Sequence, residues 1–338
     1  MKKVNVAING FGRIGRAVFK AFLLKGGNIN VVAINDLTDI NTLAHLLLHD
    51  TCYGDFDGEV KAVADGLLVN GVKYKVFAEK EPEKLPWGKM NVDVVIESTG
   101  RFRSKESAGL HLKAGAKKVI ISAPAQGKGI KTIVLGVNED KLTKKDSVIS
   151  NASCTTNCLA PVVAVIKKEF GVEKAMMTTI HSYTADQNLV DGPHKDLRRS
   201  RAAGMNMVPT TTGAAIATGE VIPGIAGKFD GFSMRVPTPV VSVSDIVFLT
   251  KKKVDEKTVN AALKKASKTA RLGGILEVTD EELVSSDFIG NPASSIVDAK
   301  LTKVVGGNML KVVAWYDNEW GYSNRLVDLV EYMQKKGL

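Results

Sequence analysis

The sequence predicts an α/β chain in two parts: a parallel sheet covered by helices on both faces, then an α+β part built on a mostly antiparallel sheet. Three observations carry this reading. From Met1 to Ser150 short β-branched runs alternate with helical segments, the pattern of a parallel sheet whose crossovers are helices. After Pro161 the strand-like stretches lengthen and fewer helices separate them. At 338 residues, 44% hydrophobic and 24% charged, the chain has the size and composition of two soluble globular domains.

In chain order the first part reads "VNVAIN", "AVFKAFLLK", "NVVAIND", "LAHLLLH", "VDVVIEST", "ESAGLHLKAGA", "KVIISAP" and "TIVLGV", strand-like and helix-like by turns. The second part contains "KAMMTTIHSYT", "GFSMRVPTPVVSVSDIVFLT" and "MLKVVAWYD", too long and too closely spaced for βαβ units. The closing "NRLVDLVEYMQKK" has the apolar spacing of an amphipathic helix. The expected boundaries are a first domain at 1–153, a second at 154–318, and a final helix, 319–338, packing back on the first. No internal repeat or low-complexity tract is visible.

Composition narrows the function classes. No apolar run reaches the roughly 20 residues that cross a bilayer, and the short apolar run of "MKKVNVAINGFG" leads into a glycine motif rather than a cleavage site. Three cysteines make no disulfide framework, so a reducing, cytoplasmic location is expected. His45 and His49 have i, i+4 spacing but lack the glutamate of a zinc protease, and the apolar residues between them point to a helix packed on a sheet, so no metal is expected. The net charge of +10 is compatible with nucleic acid, but Lys and Arg are scattered and no nucleic-acid motif is present. Phosphate-bearing small molecules are the more specific partners.

"INGFGRIGRAVF" places Gly10, Gly12 and Gly15 between a strand-like run and a helix, the setting that a dinucleotide-binding turn requires. The first glycine permits the turn, the second admits a pyrophosphate, and the third lets helix and strand pack closely. Asp36 ends the second strand-like run, roughly twenty residues on, where a carboxylate accepts ribose hydroxyls and repels a 2′-phosphate. The first domain is therefore expected to be of Rossmann type and to bind NAD.

"SNASCTTNCLAP" sets cysteines at the junction of a strand-like and a helix-like run. Two readings stand: a nucleophile at a helix start, or small core residues. Ser153 is a candidate N-cap, which puts Cys154 in the first turn, where the helix dipole favours a thiolate. Cys158, one turn on, reads as a buried structural residue. Cys52 has no activating neighbour. Of the five histidines, His181 follows a strand-like run at the start of a polar segment and is the candidate base; His194 falls in a turn and His111 in a surface helix.

Together "INGFGRIGR", "ASCTTNCLAP", "HSYTADQNLVDGPHKDLRR", "TTTGAA", "RVPTP" and "WYDNEWGYSNR" resemble phosphorylating glyceraldehyde-3-phosphate dehydrogenase, in order and over almost the whole chain. The resemblance implies that Cys154 attacks an aldehyde, that the thiohemiacetal yields a hydride to NAD, and that inorganic phosphate releases the thioester as an acyl phosphate, with His181 as base. It implies Thr184 and Arg235 for the substrate phosphate, with Asp186 nearby, and Ser153, Thr155, Thr212, Gly213 and Arg199 for the attacking phosphate; Arg198 and Arg201 are rivals of Arg199. For the cofactor it adds Arg13 and Ile14 at the pyrophosphate, Lys80 near the adenine ribose, Ser122 beside the nucleotide and Asn318 at the nicotinamide. The family often has arginine in place of Lys80 and asparagine in place of Val240, and "HDTCYG" and "RRSRAAGMNMVP" also depart from its pattern. The implied enzyme is a cytoplasmic homotetramer acting on glyceraldehyde 3-phosphate and inorganic phosphate. An erythrose-4-phosphate dehydrogenase, with water as acceptor, is the alternative within the class, and a nucleic-acid-binding or scaffold role the alternative outside it.

Overall fold

The computed structural model describes residues 3–337, so Met1, Lys2 and Leu338, which fall within the expected ranges, lie outside the described residues. The chain divides into two compact units, one of residues 1–133, 140–152 and 323–338, the other of residues 134–139 and 153–322.

The first unit is built on a sheet of nine strands among the described residues. At its centre Val4–Asn9 lies between Ile29–Asn35 and Val94–Glu97, parallel to both. Lys118–Ile121 and Val148–Ser150 continue the parallel order on one side. All four residues of Val94–Glu97 are buried, the continuous burial expected of a sheet covered on both faces. The core of this unit gathers Ala7, Ala33, Trp87, Val95 and Val119, each 0% exposed; burying a large apolar side chain stabilises by about 1.5–3 kcal/mol.

Three features depart from the expectation. On the other side Val72–Phe77 lies parallel to Ile29–Asn35, and Gly66–Val69 and Val60–Val63 follow in antiparallel order; all three are absent from the sequence reading. Their signal was the turn pair Asn70-Gly71, both with positive φ, ahead of the alternating Val72–Phe77. Of "TIVLGV" only Thr132 is strand, in Lys131–Thr132, because the chain turns at Val134–Asn138, where the Val134 N–H donates to Asn138 Oδ1 at 2.8 Å and the Asn138 N–H to the Val134 carbonyl oxygen at 3.1 Å. "ESAGLHLKAGA" forms two short helices, Lys105–Ala108 and Leu110–Lys113, interrupted at Gly109.

The second unit holds a sheet in the order Val208–Thr210, Phe229–Val236, Val172–Ser182, Ser242–Thr250, Met309–Tyr316, Ser295–Asp298, Leu276–Thr279, with Lys303–Val305 also on Met309–Tyr316. Most pairings are antiparallel; Val172–Ser182 with Phe229–Val236 and Leu276–Thr279 with Ser295–Asp298 are parallel. The helix Cys154–Phe170 packs on this sheet and against the helices Ala214–Val221 and Glu256–Ser267. The last helix, Trp320–Lys335, belongs to the first unit from Ser323 onward.

Candidate active site

In the first unit the turn after Val4–Asn9 has the shape that its glycines dictate. Gly10 adopts φ 92, and a Cβ there would lie 2.7 Å from the Thr99 nitrogen. A Cβ on Gly15 would come within 2.0 Å of the Gly10 carbonyl oxygen, so helix and strand touch only because it is absent. A Cβ on Gly12 would meet nothing within 4 Å. Gly12 is also the N-cap of the helix Arg13–Lys25, and no side chain caps that helix. An open cradle over an uncapped helix start, with Ile14 in the first turn, suits a pyrophosphate. Arg13 is held to the side by Asp50 at 2.8 Å and lies over the Tyr53 ring.

A cavity of about 280 Å³ opens beside this turn and is lined by Gly10, Gly12, Asp36, Lys80 and Thr99 among others. The Asp36 carboxylate accepts from the backbone N–H of Phe11 at 2.6 Å and of Thr38 at 2.9 Å. Each oxygen keeps a lone pair for a ribose hydroxyl. Lys80 is exposed at the rim, and Ser122 follows the strand Lys118–Ile121 at the same, C-terminal, edge of the sheet. These residues fit NAD.

In the second unit Ser153 caps the helix Cys154–Phe170, its Oγ accepting from Thr156 N–H at 3.0 Å. Cys154 therefore stands at the first helical position, and its Sγ lies 3.5 Å from His181 Nε2. His181 Nδ1 is 2.7 Å from the Ser182 carbonyl oxygen, which can only accept, so the ring proton sits on Nδ1 and the Nε2 lone pair faces the sulfur. The approach of Arg235 Nη1 to His181 Nδ1 at 3.3 Å is then a contact of two donors; Arg235 donates instead to Ser182 O at 3.2 Å and Thr184 Oγ1 at 2.9 Å.

The acidification expected of Cys154 meets an opposing effect. Burial pushes the thiol above its ordinary value; Arg235, the Thr155 hydroxyl and the first-turn N–H groups act the other way without cancelling it. Burial, reinforced by Arg235, holds His181 down to about 3. Burial also raises Cys158 to about 12, in keeping with a structural thiol bonded to Ser295 and the Ala314 carbonyl.

Around this pair Thr184 donates to Asp186, and Arg199 is bound to Asp186 and, through Nε, to Thr210 Oγ1 at 2.8 Å. Arg201 is occupied elsewhere by Asp191 at 2.8 Å, while Arg198 bonds Asp196 through its backbone. Buried Arg235 Nε lacks a protein partner, a donor for which an anion would provide one. Thr212 Oγ1 accepts from Ala214 N–H at the start of the helix Ala214–Val221, and a Cβ on its N-cap Gly213 would meet nothing within 4 Å. Thr155, by contrast, turns its hydroxyl to Tyr316 Oη at 2.9 Å and is 4% exposed. The Asn318 Oδ1 accepts from Ser182 Oγ at 3.0 Å and Ser242 Oγ at 2.9 Å, which fixes its amide with Nδ2 outward from that pair.

Sequence reasoning missed the residues that hold these groups. Tyr316 bridges Thr155 and Thr179 at 2.9 and 2.8 Å, and its ring makes a T-shaped contact with that of His181. Its signal was alternation in Met309–Tyr316, which puts Val312, Ala314 and Tyr316 on the covered face, where a phenol needs partners. His111 was also misplaced. It is 0% exposed and bonded to Glu97 and Trp87, not on the surface. The rings of His45 and His49 lie 4.9 Å apart at a tilted angle of 56°, and no group of three or more possible metal ligands occurs among the described residues.

Residues 4–105 match the family model "Glyceraldehyde 3-phosphate dehydrogenase, NAD binding domain", and residues 153–318 match the model of the C-terminal domain. The glyceraldehyde-3-phosphate dehydrogenase of Geobacillus stearothermophilus is 57% identical over 336 residues, 99% of each chain. Glyceraldehyde-3-phosphate dehydrogenase 1 of Bacillus subtilis is 55% identical over 336 residues, again 99% of each. Glyceraldehyde-3-phosphate dehydrogenase 2 of Streptomyces avermitilis is 54% identical over 331 residues, 98% of each. The chain thus belongs to the glyceraldehyde-3-phosphate dehydrogenase family, NAD-dependent oxidoreductases with a Rossmann-type nucleotide domain and a C-terminal catalytic domain.

Proposed function

We propose that the chain oxidises D-glyceraldehyde 3-phosphate to 1,3-bisphosphoglycerate with NAD and inorganic phosphate. The observation that carries this reading is the Cys154–His181 pair, 3.5 Å apart at a helix start, with Arg235 and Thr184 beside it. Sγ adds to the aldehyde carbon as its proton passes to His181 Nε2, and the oxygen of the thiohemiacetal is steadied by the first-turn N–H groups. NAD, when bound, supplies the acceptor for the hydride that leaves this carbon. The thioester left on Cys154 is attacked by inorganic phosphate; the C–S bond breaks, the acyl phosphate departs, and Cys154 recovers its proton from His181.

Arg235 and Thr184 hold the substrate phosphate in this scheme. Ser153, Thr155, Thr212, Gly213 and Arg199 surround the attacking phosphate, Thr155 through its backbone because its hydroxyl is engaged by Tyr316. Gly10, Gly12, Arg13, Ile14 and Gly15 receive the pyrophosphate, Asp36 and Lys80 the adenosine ribose, Ser122 the nucleotide edge and Asn318 the carboxamide. We assign nucleotide binding to 1–153 with the final helix, and catalysis to 154–318. The three free cysteines favour a reducing, cytoplasmic setting, and a homotetramer is the assembly proposed.

The test compares NADH formation from glyceraldehyde 3-phosphate and erythrose 4-phosphate, with and without inorganic phosphate. The proposal expects the triose to be preferred and the rate to depend on phosphate. Equal rates without phosphate would make water the acceptor and overturn it.

A further inference from the structure

A buried polar chain that the mechanism does not use lies under the nucleotide cavity. Glu97 ends the strand Val94–Glu97 and is 1% exposed. Its Oε1 accepts from the N–H of Thr99 at 2.9 Å and from the Thr99 hydroxyl, and its Oε2 accepts from Asn9 Nδ2 at 2.5 Å. His111 Nε2 lies 3.0 Å from the same Oε2. Trp87 Nε1–H donates to His111 Nδ1 at 3.0 Å, so Nδ1 is the acceptor and Nε2 carries the proton given to Glu97. All four neighbours of this carboxylate are donors.

The chain continues toward the cavity. Asn9 Oδ1 accepts from Asn35 Nδ2 at 2.7 Å, and Asn35 clamps the Glu79 backbone through both its N–H and its carbonyl, each at 2.9 Å. Asn9, Asn35, Glu79 and Thr99 all line the cavity. Three separate loops, those after Val4–Asn9, Ile29–Asn35 and Val94–Glu97, and the segment bearing Lys80 are thereby joined to one carboxylate.

We propose that Glu97 is a positioning residue for NAD: it sets the mutual register of these segments before the nucleotide arrives, and His111 and Trp87 hold Glu97 in turn. A buried carboxylate with four donors admits no alternative rotamer without leaving several of them unpaired. The loops therefore cost little further ordering on binding, the general source of affinity from a preformed site. The inference rests on NAD occupying this cavity.

The test is titration calorimetry of the full-length protein with NAD, alongside steady-state kinetics and thermal unfolding. Glu97→Gln sets an amide donor against Asn9 Nδ2 or Thr99. It is expected to weaken NAD binding about tenfold, equivalent to about 1.4 kcal/mol, and to raise KM for NAD more than it lowers kcat. The double variant Asn9→Asp/Glu97→Gln exchanges donor for acceptor across the same contact, and the carboxylate introduced at position 9 can take over the His111 proton, since the Asn9 side chain already lies 3.4 Å from Nε2. It is expected to return the Kd to within about threefold of wild type. Wild-type protein that takes up no NAD would sink the cofactor reading itself. Wild-type protein that binds while Glu97→Gln binds equally well would overturn only the role of Glu97, as would a thermal midpoint lowered with NAD affinity unchanged. Should Glu97→Gln not fold, the double variant decides: native NAD affinity supports the proposal, and a tenfold loss in a protein with the native midpoint overturns it.

Discussion

At Cys154 and His181 the local field and the burial oppose each other, and the balance decides where the proton rests. The helix start and Arg235 favour the thiolate, while the desolvation of half-buried Cys154 pushes its thiol up and burial holds the His181 imidazole to about 3. In the proposed scheme proton transfer accompanies addition of the aldehyde. The same burial has a consequence for stability. An unfolded chain protonates His181 near its ordinary 6.5, whereas the folded chain resists until about 3. Between these values the unfolded state binds the extra proton, so stability falls as pH falls through the window and is untouched above it, by at most about 1.4 kcal/mol per pH unit. His181→Asn is expected to flatten this dependence between pH 6.5 and 5 in urea denaturation; parallel curves for the two proteins would show that the imidazole is not held neutral. Residue types at motif positions were legible from sequence, but this balance was not, because it depends on how completely neighbouring segments exclude water.

Elements carry the next level of the site. The helix Cys154–Phe170 begins where it does because Ser153 Oγ accepts from Thr156 N–H, and that boundary fixes Cys154 at the first position. Ser153→Ala is expected to cost about 1 kcal/mol in chemical denaturation, the usual worth of a serine cap, with Ser153→Asn recovering most of it. A loss below about 0.3 kcal/mol would mean that packing, not the cap, sets the start. This cap could be read from "SNASCTT", as the strands bearing Asn9 and His181, and the one ending just before Asp36, could be read from β-branched runs. Two features could not. The hairpin at Asn70-Gly71 joins Gly66–Val69, which is four residues long and does not alternate, to the alternating Val72–Phe77, so only its turn and one strand carry a signal. His111 sits in a helix of four residues, Leu110–Lys113, too short for periodicity to show which side is covered, and its partners Glu97 and Trp87 are distant in sequence.

For the molecule as a whole, the sheet of the second unit poses a question of coverage. Along Val172–Ser182 one face is closed, with Met177 at 2% and Thr179 at 1% exposure, while Met176 on the other face is 66% exposed. Phe232, opposite Thr178 in the neighbouring strand and so on the face of Met176, is 43% exposed, and Met309 is 51% exposed. The segment between that strand and the sheet edge leaves Leu197, Met205 and Met207 exposed as well. Apolar side chains gathered on one sheet face and its adjoining segment are more than scattered surface residues and mark an interaction surface. A second copy of the chain is the proposed cover, in line with the homotetramer proposed above. Replacing Met176 and Phe232 together by lysine places two positive charges where a partner must exclude water. The double variant is expected to shift the mass found by light scattering at micromolar concentration toward smaller species, while the fold reported by circular dichroism is retained. Retention of the wild-type mass would move the subunit contact away from this face; a wild type that is already monomeric would remove the assembly from the account while leaving the chemistry of Cys154 and His181 untouched.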